Sequence, residues 1–155
     1  MRDSLEKFRE CCVFGCIRDG ARAYRQGGRR REKGESVEDN LIVQKSKAFA
    51  LRVIKLYQHL QDKGERVMSK QVLRSGTSIG ANIAEGQYAQ SKADFLTKYS
   101  IALKEASETR YWIELLIESK ILPDSESSRS LLSDNTELIR LLVSSTKRLK
   151  GAQDD

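Results

Sequence analysis

Glu85, Glu105 and Glu108 are the side chains of this 155-residue chain that come nearest to a catalytic set, since carboxylates on facing helices can hold a di-iron centre. A ferritin-type centre also needs a Glu-x-x-His pair on each of two helices. The chain has one histidine, His59, so no metal site is expected. Cys11, Cys12 and Cys16 have neither a zinc-finger spacing nor a neighbouring histidine. No serine occupies a strand-to-helix elbow, and no cysteine has a His or Asp partner in evident reach for nucleophilic catalysis. Gly76-x-x-x-Gly80 lacks the Gly-Lys-Ser ending and the preceding strand of a phosphate-binding loop. The expectation is a protein with no catalytic activity and no cofactor.

Charge leaves a second chemistry open. Lysine and arginine exceed aspartate and glutamate by 28 to 22, a formal +6 that favours acidic partners. On the first helix expected below, Lys45, Arg52, Lys55 and His59 follow steps of seven, three and four. They share one face opposite much of the apolar stripe, the pattern of an electrostatic footprint for RNA or DNA or of a plain solvated face. Lys70, Arg74, Arg140, Lys147 and Arg148 extend the footprint if packing brings them alongside.

The elements that must position these groups read as helices. One proline, at Pro123, and 32% charged residues suit helices with solvated outer faces, and the length suits one four-helix core. The first helix is expected over 41 to 63, with Ile42, Phe49, Val53, Leu56 and Leu60 as its buried stripe and Gly64 as C-cap. The second runs over 68 to 89. The third, over 92 to 119, is capped by Ser91 with Asp94 in its first turn, and carries a heptad seam of Phe95, Tyr99, Ala102, Ala106, Thr109, Ile113 and Leu116. Leu96, Leu103 and Trp112 lie off that seam and are expected to meet another subunit in part. The fourth, over 124 to 149, starts at Pro123-Asp124 and buries Leu131, Leu138, Leu142 and Leu149, with Leu132, Ile139 and Val143 alongside. Short connections give an all-α, antiparallel up-down-up-down bundle across residues 39 to 150.

The second helix is unusual. Gly76, Gly80 and Ala84 recur every four residues and predict a smooth ridge for close helix packing, flanked by Val72, Ile79 and Ile83. Each interior glycine costs about 1 kcal/mol of helix propensity, so both are expected to have a packing reason. A Gly/Ser loop would not carry those isoleucines. A membrane dimerisation face is excluded by Arg74, Asn82 and Glu85 and by the want of about 18 consecutive apolar residues. Asn82 and Glu85, with Arg110 on the third helix, are expected to form a hydrogen-bonded network that sets helix register, the alternative being a binding site.

Residues 1 to 38 differ from the rest. Clustered cysteines, Gly27-Gly28, the Arg29-Arg30-Arg31 run and polar residues predict a poorly ordered N-terminal extension. Eight acidic residues offset ten basic ones across positions 1 to 39, which argues against a dedicated nucleic-acid arm. Three cysteines fit a reducing, cytoplasmic setting, and no signal-peptide cleavage site follows the short apolar patch at 11 to 17. The codons for Arg31 to Glu35 can contain a ribosome-binding sequence, and Val37 can be a GTG start, so translation is expected to begin there.

Two segments carry a resemblance. Lys47-Ala-Phe-Ala-Leu-Arg-Val-Ile-Lys-Leu-Tyr57 and Gln71-Val-Leu-Arg-Ser-Gly-Thr-Ser-Ile-Gly-Ala-Asn-Ile-Ala-Glu-Gly86, with Phe95 to Leu116 in support, closely resemble the bacterial four-helix-bundle family named for intervening sequences in 23S ribosomal RNA genes. The resemblance covers residues 40 to 149. It implies a cytoplasmic homopentameric ring without established enzymatic activity. The accessory variability proteins of diversity-generating retroelements look like relatives, which implies nucleic acid and a reverse transcriptase as partners. Two readings follow: a nucleic-acid-binding accessory protein, or a purely structural or protein-binding oligomeric module.

Overall fold

The computed structural model describes residues 37–151, with side chains from 41 to 148. The expectations for the extension before residue 37 and for Leu149 lie outside them. Four helices follow in order: α1 (Val37–Asp62), α2 (Met68–Gly86), α3 (Lys92–Glu118) and α4 (Glu126–Gly151). No strand occurs among the described residues. Each helix packs on the next and α4 closes back on α1. Val53 of α1 lies against Gly76 of α2, and Ser46 against Gly80, while Arg74 and Glu85 of α2 reach Glu108 and Lys98 of α3. These pairings run in opposite senses along the chain, consistent with antiparallel neighbours.

The buried residues follow the expected periodicity. Ile42, Phe49, Val53, Leu56 and Leu60 of α1 are at most 1% exposed. Every member of the α3 seam is buried except Phe95, which packs on the core and stacks on Tyr99 with ring centroids 4.0 Å apart. Leu131, Leu138 and Leu142 complete the core from α4, with Leu132 and Ile139 packed against it. Burial of these stripes is the main favourable term, because helices in proteins draw most of their stability from packing an amphipathic face rather than from propensity.

Local chemistry fixes the ends. Gly64 adopts a φ of +83°, and the Gly64 and Glu65 amides donate to the Gln61 and Leu60 carbonyls at 2.9 Å each, closing α1 as a Schellman cap. Ser91 Oγ accepts from the Asp94 amide at 3.1 Å, and Asp94 accepts in return from the Gln90 amide at 3.2 Å. α4 begins two residues later than Pro123-Asp124 suggests. Ser125 and Ser128 cap one another, each side chain accepting from the other's amide, which places the first turn at Glu126.

The start of α2 has a cap that the sequence pattern conceals. Val67 precedes the helix and offers no side-chain oxygen, yet the Glu65 carboxylate accepts the Val67 and Met68 amides at 2.9 Å each and the Ser69 amide at 2.5 Å. Desolvation raises the Glu65 pKa, but the hydrogen bonds from Met68, Ser69 and Val67 outweigh it, leaving the group below its ordinary value. A carboxyl depressed by folding stabilises the fold fully above its unfolded pKa, and that contribution disappears as pH falls through the folded value. Melting temperature measured down an acid series is therefore expected to fall more steeply for the native chain than for Glu65→Gln, and equal slopes would contradict this.

Candidate nucleic-acid interface

Two members of the α1 basic row, Lys45 and Arg52, face α4. Lys45 Nζ lies 2.8 Å from the Glu137 carboxylate. Arg52 pairs with Asp134 and donates to Ser130 Oγ at 3.2 Å and the Ser127 carbonyl at 3.3 Å. Both cations are half-buried in the α1–α4 seam, where α4 supplies the negative charge that a phosphate would bring. Lys55 and His59 are half-buried too. Partial burial first, and then Lys63, lower the His59 pKa, so the ring adds little positive charge at neutral pH. Lys45 and Arg52 thus serve a seam between helices.

Arg74 is also engaged. Its guanidinium pairs with Glu108, which accepts from the Trp112 indole at 3.1 Å, and lies 4.0 Å from Glu105. Glu85 pairs across the same two helices with Lys98 at 2.5 Å, and that hydrogen bond and charge raise the lysine pKa. The three carboxylates weighed as a metal set thus divide between two cations. Among the described residues no group of three His, Cys, Asp or Glu side chains could hold a metal ion.

The expected register network is placed elsewhere. Asn82 donates to the Ser78 carbonyl and hydroxyl at 2.9 and 3.2 Å within its own helix, and Arg110 pairs with Glu114 one turn along α3 at 2.7 Å. The polar bridge between α2 and α3 is buried: Thr109 Oγ1 donates to Ser75 Oγ at 2.9 Å. The signal for it in the sequence is a small polar side chain on the core face of each helix. The ridge also needs correction. Gly76, Ile79 and Ile83 are buried and Gly80 is half-buried, but Ala84 is exposed. A step of four residues overshoots a helical turn by about 40°, so two steps carry Ala84 some 80° off the line of Gly76, while Ile83 returns to it.

Large aliphatic side chains stand exposed on α1 rather than α3. Leu103 and Trp112 pack against the core and Leu96 is half-buried, whereas Leu51 is 55% exposed and Leu41 and Ile54 stand on the same helix at 40% and 37%. Apolar side chains of this kind offer nothing to a phosphate.

Positive charge outweighs negative in the half of the bundle that holds the C-terminal turns of α4. Lys92 at the start of α3, Lys104 further along it, and Arg140, Lys147 and Arg148 on α4 are exposed. Of the acidic side chains described in that half, Glu85 pairs with Lys98, Glu137 pairs with Lys45 and Asp94 lies in its cap, while Glu38 and Asp39 in the first turn of α1 lie outside the described side chains. No acidic residue follows Glu137 until Asp154. At the opposite end, Glu118, Asp124 and Glu126 alternate with Lys120 and Arg129, and Arg129 pairs with Asp124 at 2.8 Å. Lys70, also exposed, lies toward that mixed end.

The sequence model for 23S rRNA-intervening sequence protein matches residues 38–144, the whole helical part up to the cationic turn of α4. The chain belongs to this family. A crystal structure of a protein with unknown function from the S23 ribosomal protein family of Bacteroides thetaiotaomicron VPI-5482 is 52% identical to it, with a TM-score of 0.69. The likeness covers 71% of this chain and 98% of that one. No curated protein matches. The shared part spans the small-residue helix and the seam it packs on, and no helix among the described residues is long and apolar enough to cross a membrane.

Proposed function

We propose that this family member is a non-enzymatic, oligomeric nucleic-acid-binding accessory protein of the cytoplasm. The observation that carries the reading is the cationic half of the bundle, where Arg140 and Lys147 stand exposed on a stretch of α4 whose sequence holds no acidic residue beyond Glu137. Such a surface binds phosphates through displaced counterions, so affinity falls steeply with salt. Lys45 and Arg52, paired with Glu137 and Asp134 of α4, contribute to the seam rather than to the interface. RNA or DNA is the partner class, with a reverse transcriptase as a further partner if the gene is linked to a retroelement.

A salt titration of binding to labelled RNA and DNA tests the reading. The double change Arg140→Glu with Lys147→Glu is expected to lower affinity by about tenfold or more and to flatten the salt slope by roughly one for each phosphate no longer neutralised. Absence of binding to either nucleic acid at low salt would reject it.

The exposed Leu51, Ile54 and Leu41 favour self-association, the homopentamer that the resemblance implies, and they are what supports a purely structural or protein-binding module. Sedimentation of the native chain and of Leu51→Glu checks this. The native protein is expected to sediment as an oligomer, and the charged variant to shift toward monomer with its helix content intact.

A further inference from the structure

Tyr88 is the most exposed of the large apolar or aromatic side chains described, at 80%. It stands in the connection between α2 and α3, at the same end of the bundle as the cations of α4. The turn beneath it is firmly held. The Tyr88 and Ala89 amides donate to the Glu85 and Gly86 carbonyls at 3.0 and 3.1 Å, Gln87 donates to the Tyr99 hydroxyl at 3.0 Å, and Gly86 lies so close to the Tyr99 ring that an added Cβ would fall 2.8 Å from it. The ring is thus presented to solvent on an anchored base while adding almost nothing to the core. The described acidic groups near it are engaged, Glu85 by Lys98 and Asp94 by the Gln90 amide. Tyr111 differs: it is 57% exposed, but its ring is already in edge-to-face contact with Trp112, centroids 5.2 Å apart.

We propose that Tyr88 is a stacking platform for an unpaired base, so that the preferred ligand is single-stranded nucleic acid and not a duplex. This rests on the nucleic-acid reading above and names its substrate class. An aromatic ring beside a positively charged surface is the arrangement that holds single strands with little regard to sequence, since every base has a π-face. In a duplex those faces are already stacked on one another, and Tyr88 gains access only at the ends. The cations of the same end neutralise the backbone while the ring takes a base.

The experiment measures anisotropy of a labelled single-stranded 12-mer, as RNA and as DNA, and of the corresponding duplexes, with the full chain at low salt. The single strand is expected to bind more tightly than its duplex by about tenfold. Tyr88→Ala is expected to lose about tenfold or more in single-strand affinity with unchanged duplex affinity, melting temperature and sedimentation, while Tyr88→Phe and Tyr111→Ala stay within twofold of the native chain. Equal affinity for strand and duplex, or a Tyr88→Ala variant that binds as the native chain does, overturns this inference and leaves the nucleic-acid reading standing. A Tyr88→Ala variant that changes oligomeric mass rather than affinity overturns it as well and makes Tyr88 a subunit contact. Failure of every oligonucleotide to bind overturns both.

Discussion

Replacing the two central glycines of α2 by alanine is expected to change stability in opposite directions. A Cβ built on Gly76 would lie 2.8 Å from both γ-methyl carbons of Val53, which is fully buried. Valine is stiff at χ1 and cannot swing aside cheaply, so the backbone of α1 or α2 has to move. Overpacking of this kind costs about 1–3 kcal/mol and outweighs the roughly 1 kcal/mol that alanine adds in helix propensity. Gly76→Ala is expected to lose about 1–2 kcal/mol, and Gly76→Leu at least about 3 kcal/mol. At Gly80 the nearest atom to an added Cβ is the Ser46 carbonyl oxygen at 3.6 Å, an ordinary van der Waals approach. Gly80→Ala is expected to gain about 0.5–1 kcal/mol. Urea denaturation of the three variants decides the matter, and Val53→Ala combined with Gly76→Ala should recover part of the deficit if the clash is its cause. Equal signs for the two alanine variants would remove Gly76 from its role as the point of closest helix approach.

Asn135 carries the second large effect. It sits on the core face of α4, is 0% exposed, and neither atom of its side-chain amide has a protein hydrogen-bond partner. A buried polar group left unpaired costs on the order of 1–3 kcal/mol. Leucine has the same number of side-chain heavy atoms and the same branching, so Asn135→Leu is expected to raise stability by about 1–3 kcal/mol and to raise the melting temperature. Asn135→Asp is expected to do the reverse by several kcal/mol at neutral pH, because an ionised carboxylate in that position has no counter-charge, and to recover in part in acid as the carboxylate takes up a proton. A calorimetric scan of both variants at two pH values checks the pair. If Asn135→Leu is destabilised instead, the amide has a structural partner and the core at this level is polar by requirement.

These effects bear on function through rigidity. The cations of α4 and the ring of Tyr88 belong to different helices and connections, and they stand toward the same end of the bundle only because the core holds α4 against α3 and α3 against α2. A variant that loosens Gly76 packing therefore weakens any ligand that spans both, without touching a residue of the interface.

The helices, their core stripes and most of their ends could be read from the chain alone, because each depends on residues within a few positions of one another. The α3 seam repeats in steps of three and four, Gly64 closes α1 with a positive φ, and Ser91 caps α3, all as local pattern requires. The family was legible for the same reason, since the run Gln71 to Gly86 that carries the resemblance is continuous within α2. Interhelical relations were not. That Lys45 and Arg52 meet Glu137 and Asp134, that Gly76 touches Val53 while Gly80 keeps room, that Glu65 caps α2 from outside the usual position, and that Asn135 faces a core without partners all depend on which surface lies alongside. Periodicity tells which side of a helix turns inward, but the charge and shape that side meets are set by residues up to 92 positions away, brought there by the packing of the whole bundle.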